Sequence, residues 1–172
     1  HPHDLLSVSD ILKVSSNIGT AKIIARLGAR RLVDAVRRFG FGRVSGSGFP
    51  GEVGGSVREI RERQAIERAN LSFGQGVTVT PVQLVAAMAV FANGGVRVTP
   101  RITRASADTP AVAGERSISE RTARIVLEMM RQVVVDGTGK GAALPHVSVA
   151  GKTGTAQKVK DGVYSQTDYV AS

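Results

Sequence analysis

The run Ser148-Val149-Ala150-Gly151-Lys152-Thr153-Gly154-Thr155-Ala156-Gln157-Lys158-Val159 constrains this 172-residue chain more than any other. Val147, Val149 and Val159 are β-branched and suit a pleated strand. In the middle of the run, Gly151 to Thr155, lie glycines, one cation and hydroxyl residues, a set that packs poorly in a core. Glycine inside a strand marks close approach of a ligand or of another backbone. Side chains alternate along a strand, so Thr153 and Thr155 share a face, and Lys152 adds a point charge. Hydroxyls and an ammonium together suit a carboxylate or a developing oxyanion.

Gly151-Lys152-Thr153 also matches the end of a phosphate-binding P-loop, G-x-x-x-x-G-K-[ST]. That loop needs glycine where His146 stands, and a helix N-terminus after Thr153 to hold phosphate. Here the following residues are polar and strand-like, so the P-loop is set aside. A glycine-softened edge strand without chemistry is the plain alternative. The third reading is the K-T-G element, which occurs with S-x-x-K and S-D-N in serine acyltransferases that react with penicillin. One tripeptide is weak evidence, and the other elements must come from the rest of the chain.

Length predicts one domain with a real core, and 42% apolar residues exclude wholesale disorder. Aromatic residues are 4%, with no tryptophan, which disfavours a nucleic-acid binder that stacks bases. The net charge of +9 comes from 23 basic and 14 acidic residues. Arg30, Arg31, Arg37, Arg38, Arg43, Arg58, Arg61, Arg63 and Arg68 supply much of it, either as a solvated basic face or as an attraction for polyanions. Without cysteine there is no disulfide or thiolate–zinc site. His1, His3 and His146 lack a metal-site spacing, so neither metal nor cofactor is expected. No apolar run reaches the roughly 18 residues of a membrane span. The chain opens His-Pro-His and stops in a strand-like Tyr169-Val170-Ala171-Ser172, as a piece of a longer protein would.

In order, Ser7 to Val14 predicts a short helix capped by Ser7 or Ser9, followed by a polar break at Ser15-Ser16-Asn17. Ile18–Leu27 and Ala29–Phe39 predict helices closed by Gly28 and Gly40. A glycine-rich loop spans 40–55, and Val57–Asn70 reads as a charged, exposed helix. Gly74 and Gly76 predict a tight backbone path. Thr80, Pro81 and Gln83 form a capping box for Pro81–Asn93, whose all-round apolar character predicts burial. Val96–Ile102 predicts a short strand and Ala105–Ser117 a polar connection. Ser119 starts a helix to Val135 with a stripe of Ala123, Val126, Leu127, Met130 and Val134. Asp136-Gly137-Thr138-Gly139-Lys140-Gly141 is a glycine turn leading to the opening strand.

Ser15-Ser16-Asn17 and Lys152-Thr153-Gly154 stand in the order of the S-x-N and K-T-G elements of penicillin-binding transpeptidases. The string from Leu6 through Ser15-Ser16-Asn17-Ile18-Gly19-Thr20 to Ile23 resembles division-type class B penicillin-binding proteins over its whole length. So do Ser72-Phe73-Gly74-Gln75-Gly76-Val77-Thr78-Val79-Thr80-Pro81-Val82-Gln83-Leu84, Asn93-Gly94-Gly95, Asp136-Gly137-Thr138-Gly139 and Val149 to Gln157. These matches run from end to end of the chain.

The resemblance implies an α/β fold of the β-lactamase/transpeptidase type, here a helix-rich fragment with the K-T-G strand and an incomplete sheet. It implies a peptidoglycan D,D-transpeptidase that cross-links stem peptides in septal wall synthesis through a serine acyl-enzyme. Carried over, Ser15 relays protons, Asn17 holds the substrate amide side chain and Lys152 sets the electrostatics. Thr153 and Thr155, around Gly154, bind the terminal carboxylate, and the Thr155 N–H is one oxyanion donor, a kind worth about 2.7–4 kcal/mol. The implied partners are D-Ala-D-Ala stem peptides, β-lactams and divisome proteins, with no nucleic acid. The implied parent is anchored in the bacterial inner membrane and faces the periplasm. No serine of the chain has lysine three residues on, so residues 1–172 are expected to be a partial domain. The nucleophilic serine would lie upstream and the last strands and terminal helix downstream, leaving the piece inactive alone. The alternatives are a non-catalytic scaffold or sensor of the same fold, a basic nucleic-acid module, and a serine β-lactamase, which would need a deacylating base.

Overall fold

Short hydroxyl side chains start four of the helices, because a serine or threonine oxygen satisfies an N–H left free at a helix N-terminus. Ser7 accepts from Asp10 N at 3.1 Å and starts α1 (Val8–Lys13), with Asp10 closing a capping box. Ser16 accepts from Gly19 N at 3.1 Å at the head of α2 (Asn17–Leu27). Thr80 accepts from Gln83 N at 3.2 Å ahead of α5 (Pro81–Ala92). Ser119 accepts from Thr122 N at 3.1 Å ahead of α6 (Glu120–Asp136). Between these lie α3 (Ala29–Arg38) and α4 (Ala65–Ser72). Gly28 both ends α2 and begins α3. Its φ of 93° with ψ of 154° is a conformation only glycine adopts readily.

The computed structural model describes residues 5–61, 63–104, 114–160 and 163–171. The chain forms two units, His1–Gly19 with Glu128–Ser172, and Thr20–Leu127. Strands are few and short. In the second unit β1 (Ser56–Val57) pairs antiparallel with β2 (Val77–Thr78), and β3 (Val96–Arg97) with β4 (Glu115–Arg116). In the first, β5 (Thr155–Lys160) and β6 (Val163–Ala171) form an antiparallel hairpin with Thr155 opposite Ala171 and an irregularity between Gln157 and Val159. Among the described residues the chain is helix-rich and its sheets are two-stranded, in line with the helix-rich fragment and incomplete sheet that the transpeptidase resemblance implied.

The strand expected over Val96–Ile102 ends at Arg97, and the expected polar connection Ala105–Ser117 contains strand β4; three further expectations change. The helix expected over Val57–Asn70 begins only at Ala65. Val57 is taken by the pairing with Val77, and the charged run after it offers neither a capping residue nor an apolar stripe to bury. Glu62, inside that run, lies outside the described residues, as does 105–113 of the expected polar connection. The expected strand around Lys152 starts at Thr155, so Lys152-Thr153-Gly154 is the lead-in rather than the strand itself. Finally, among the described residues α5 is not buried all round. Gln83, Ala87 and Val90 form its buried stripe, whereas Val85 is 70% and Val82 43% exposed. The described residues supply packing partners for one face of that helix only.

The core of the second unit gathers Ile24, Ala29, Val33, Leu71, Ala87, Val90 and Ala123. Phe39 and Phe91 add a tilted ring pair at 5.4 Å between centroids. In the first unit Met130, Val133 and Val134 of α6 are buried.

Gln83 does more than cap. Its carbonyl accepts from Thr80 N at 2.8 Å, while its amide donates to Arg43 O at 2.7 Å and Gly54 O at 2.8 Å. One side chain, 2% exposed, thus ties both ends of the 43–54 loop to the head of α5. Glu52 holds the loop from within, accepting from Ser45 N at 2.7 Å and the Ser47 hydroxyl at 3.2 Å. Gln83→Leu keeps the bulk but orphans two carbonyls and the Thr80 N–H. It should cost about 2–4 kcal/mol, read as a lower urea midpoint with unchanged slope; a loss below 0.5 kcal/mol would show that the loop holds itself.

Candidate active site

The two polar islands of the sequence meet inside one unit, His1–Gly19 with Glu128–Ser172. On one side is the end of α1. Ser15 N donates to Leu12 O at 3.2 Å and Ser16 N to Ile11 O at 2.9 Å, the two crossed bonds of a Schellman closure. That closure needs one left-handed residue and ordinarily uses glycine. Here the position is Ser15, at φ 56°, where an L-residue costs about 1–2 kcal/mol. The strain places a hydroxyl where glycine would place nothing. Ser16, next along, spends its hydroxyl on capping α2, and Asn17 becomes the first residue of that helix with an exposed side chain.

On the other side, Gly151 N donates to Met130 O of α6 at 3.2 Å, which anchors the extended approach to β5. Lys152 Nζ then reaches Ser15 Oγ at 2.8 Å, Thr153 O at 2.7 Å and Thr153 Oγ1 at 3.3 Å. An ammonium has three protons, and these three oxygens accept them. All three acceptors are neutral, so the positive charge is not cancelled locally. Burial pushes the Lys152 amine below its ordinary value, while the hydrogen bonds it donates favour the charged form. Thr153 and Thr155 are exposed and Gly154 half-buried.

A third element, which the sequence reading matched but gave no task, joins them. The turn after α6 puts Thr138 Oγ1 3.0 Å from Thr153 Oγ1, and Thr138 N donates to Lys13 O at 3.2 Å. Gly137 allows this approach: a Cβ there would sit 2.6 Å from Lys13 O and 2.8 Å from Val133 O. Asp136 completes the tie through Lys13 at 3.5 Å and Lys140 at 3.1 Å, and these partners lower its carboxyl pKa, Lys140 first. The spacing Asp136-Gly137-Thr138-Gly139 was a legible signal for this turn; its contact with Thr153 was not. After Thr153 the chain enters strand β5 rather than a helix, which removes the P-loop reading on structural grounds.

The family described as the penicillin binding protein transpeptidase domain matches residues 2–172. The chain belongs to that family. It is 36% identical over 179 residues to stage V sporulation protein D of Bacillus subtilis, covering 99% of this chain and 28% of that protein. It is 38% identical over 161 residues to the peptidoglycan D,D-transpeptidase FtsI of Escherichia coli, covering 92% of this chain and 27% of FtsI. In structure it is similar to penicillin binding protein 3 of Mycobacterium tuberculosis complexed with ampicillin, with a TM-score of 0.85, 36% identity, and coverage of 96% of this chain and 40% of that one. The chain therefore spans well under half the length of these relatives.

Two measurements probe the geometry. Ser15→Gly and Ser15→Ala both delete the hydroxyl, but only glycine relieves the left-handed strain. The glycine variant should be the more stable by about 1 kcal/mol in urea; equal stability would mean that position 15 is unstrained. For Lys152, the folded amine releases its proton at lower pH than the unfolded one. Between those two values the unfolded chain binds more protons, so stability should rise with pH toward the ordinary lysine value of 10.5. Lys152→Met should lack that rise, and parallel pH profiles for the two proteins would count against the depressed value.

Proposed function

We propose that this chain is the S-x-N to K-T-G part of a peptidoglycan D,D-transpeptidase whose nucleophilic S-x-x-K serine belongs to a segment upstream of His1. The observation that carries the reading is the 2.8 Å bond from Lys152 Nζ to Ser15 Oγ. It joins the two polar elements that the family resemblance singled out, 137 positions apart in the sequence. A hydroxyl held by an ammonium is poised to pass a proton, because the lysine occupies a lone pair and leaves the O–H free to donate.

In the complete protein the serine would attack the penultimate D-alanine carbonyl of a donor stem. Ser15 and Lys152 would carry its proton toward the departing D-alanine, and a second stem's amine would take the acyl group. Asn17, exposed at the first turn of α2, would hold the substrate's amide. The Thr153 and Thr155 hydroxyls would receive the terminal carboxylate, drawn by the uncancelled charge of Lys152. The Thr155 N–H, at the first residue of β5, would be an oxyanion donor. The substrate would lie along that strand edge as an added strand. Penicillins enter the same reading as acylating substrates carrying a carboxylate.

Such a protein works where peptidoglycan is built, outside the cytoplasmic membrane, with an anchor and division partners supplied by other parts of the assembly. Among the described residues no helix is long and apolar enough to cross a membrane.

The test is intact mass after incubation with a penicillin. This chain alone should show no adduct, whereas the full-length protein carrying it should gain one penicillin. An adduct on the chain alone would make one of its own hydroxyls, Ser15 foremost, the nucleophile. A full-length protein that stays unmodified would instead be a non-catalytic scaffold.

A further inference from the structure

The turn after α6 is held more firmly than an exposed turn requires. Val133 O accepts from both Gly137 N and Gly139 N at 3.0 Å, and Thr138 N is bonded to Lys13 O. Asp136 pairs with Lys13 and Lys140, and position 137 has no room for a side chain. What this anchoring presents is one hydroxyl, Thr138 Oγ1, 3.0 Å from Thr153 Oγ1.

The consequence follows from counting protons and lone pairs. A hydroxyl has one proton and two lone pairs. Lys152 Nζ, at 3.3 Å, occupies one lone pair of Thr153 Oγ1. If Thr138 donates, the second is occupied too. The Thr153 proton then has to leave in the third direction, away from both donors and toward whatever occupies the exposed side of the residue. If Thr138 accepted instead, that proton would be spent inside the protein. A carboxylate arriving at Thr153 accepts a charge-assisted hydrogen bond, stronger than the neutral one between two threonines, and so selects the first arrangement.

We propose that Thr138 is a positioning residue: it donates to Thr153 and thereby turns the Thr153 proton toward the substrate carboxylate. This rests on the reading that Thr153 receives that carboxylate. The role belongs to the hydroxyl, not to the bulk of the side chain, and it matters only for ligands bearing the negative charge.

The test uses the full-length protein and compares second-order acylation rates for one penicillin as the free acid and as its methyl ester. Thr138→Val should slow acylation by the acid about tenfold, the effect of weakening one hydrogen bond to a charged group, and change the ester rate less than about twofold. Thr138→Ser, which restores the hydroxyl, should stay within about twofold of wild type for both. If the valine variant does not fold, Thr138→Ala deletes the same hydroxyl and is judged by the same ratio. Equal losses on acid and ester, no loss on either, or a serine variant as slow as the valine one would each overturn the positioning role while leaving the transpeptidase reading in place. A wild-type protein that is not acylated at all would overturn both.

Discussion

The Lys152 ammonium has three protons and shares them with neutral oxygens: the Ser15 hydroxyl, the Thr153 carbonyl and the Thr153 hydroxyl. Half-burial without a carboxylate partner costs the charged form, which is why the amine is pushed downward. A carboxylate partner inside the protein would ease that cost and neutralise the site. Neutral acceptors hold the ammonium in position and leave its field to act on whatever binds outside. Much of the local architecture serves to bring those oxygens within reach. The Schellman end of α1 holds Ser15 in the left-handed region, and the bond from Gly151 to Met130 sets the level of the approach to β5.

Strain and specificity are distributed unevenly around this contact. Ser15 occupies a position that glycine would fill at lower cost, and the chain accepts the penalty for the sake of an oxygen. Gly137 is the reverse case, a place where any side chain would collide with Lys13 and Val133. A strained serine and an obligatory glycine thus flank the Lys152 contact, and the transpeptidase proposal gives both a reason. Elsewhere the fold is economical: Gln83 caps a helix and clamps a loop with the same amide, and Gly28 ends one helix and opens the next.

Membership in the transpeptidase family accounts for features that are odd in a free-standing domain. The chain spans 28% of the sporulation protein's length and 40% of the Mycobacterium tuberculosis structure. Among the described residues its sheets are two-stranded, and α5 leaves Val82 and Val85 exposed although it is apolar nearly all round. A helix of that composition is suited to burial on every face, and the described residues cover one. The all-round pattern was therefore a correct description of the residues and an incorrect guide to their exposure here.

Local chemistry carried much of the fold into view from the sequence alone. Caps at Ser7, Thr80 and Ser119, the break at Gly28, and the turns at Gly74 and Gly76 depend on a few neighbouring residues, so spacing is enough to find them. The K-T-G and S-x-N elements were found differently, through the resemblance of longer strings to a known family, because Ser-Ser-Asn alone reads as a helix cap and a single Lys-Thr-Gly is weak evidence. The charged run after Val57 was misjudged because its strand partner Val77 lies twenty positions away, and pairing over that distance leaves no local mark. The sequence by itself determined which side chains carry charge, hydroxyl or no side chain at all. Only the tertiary structure decided which of them meet: Lys152 with Ser15 across 137 positions, and Thr138 with Thr153 across 15. A hydrogen bond is won within a few tenths of an ångström, and that precision comes from packing α6, the end of α1 and the approach to β5 together, not from spacing along the chain.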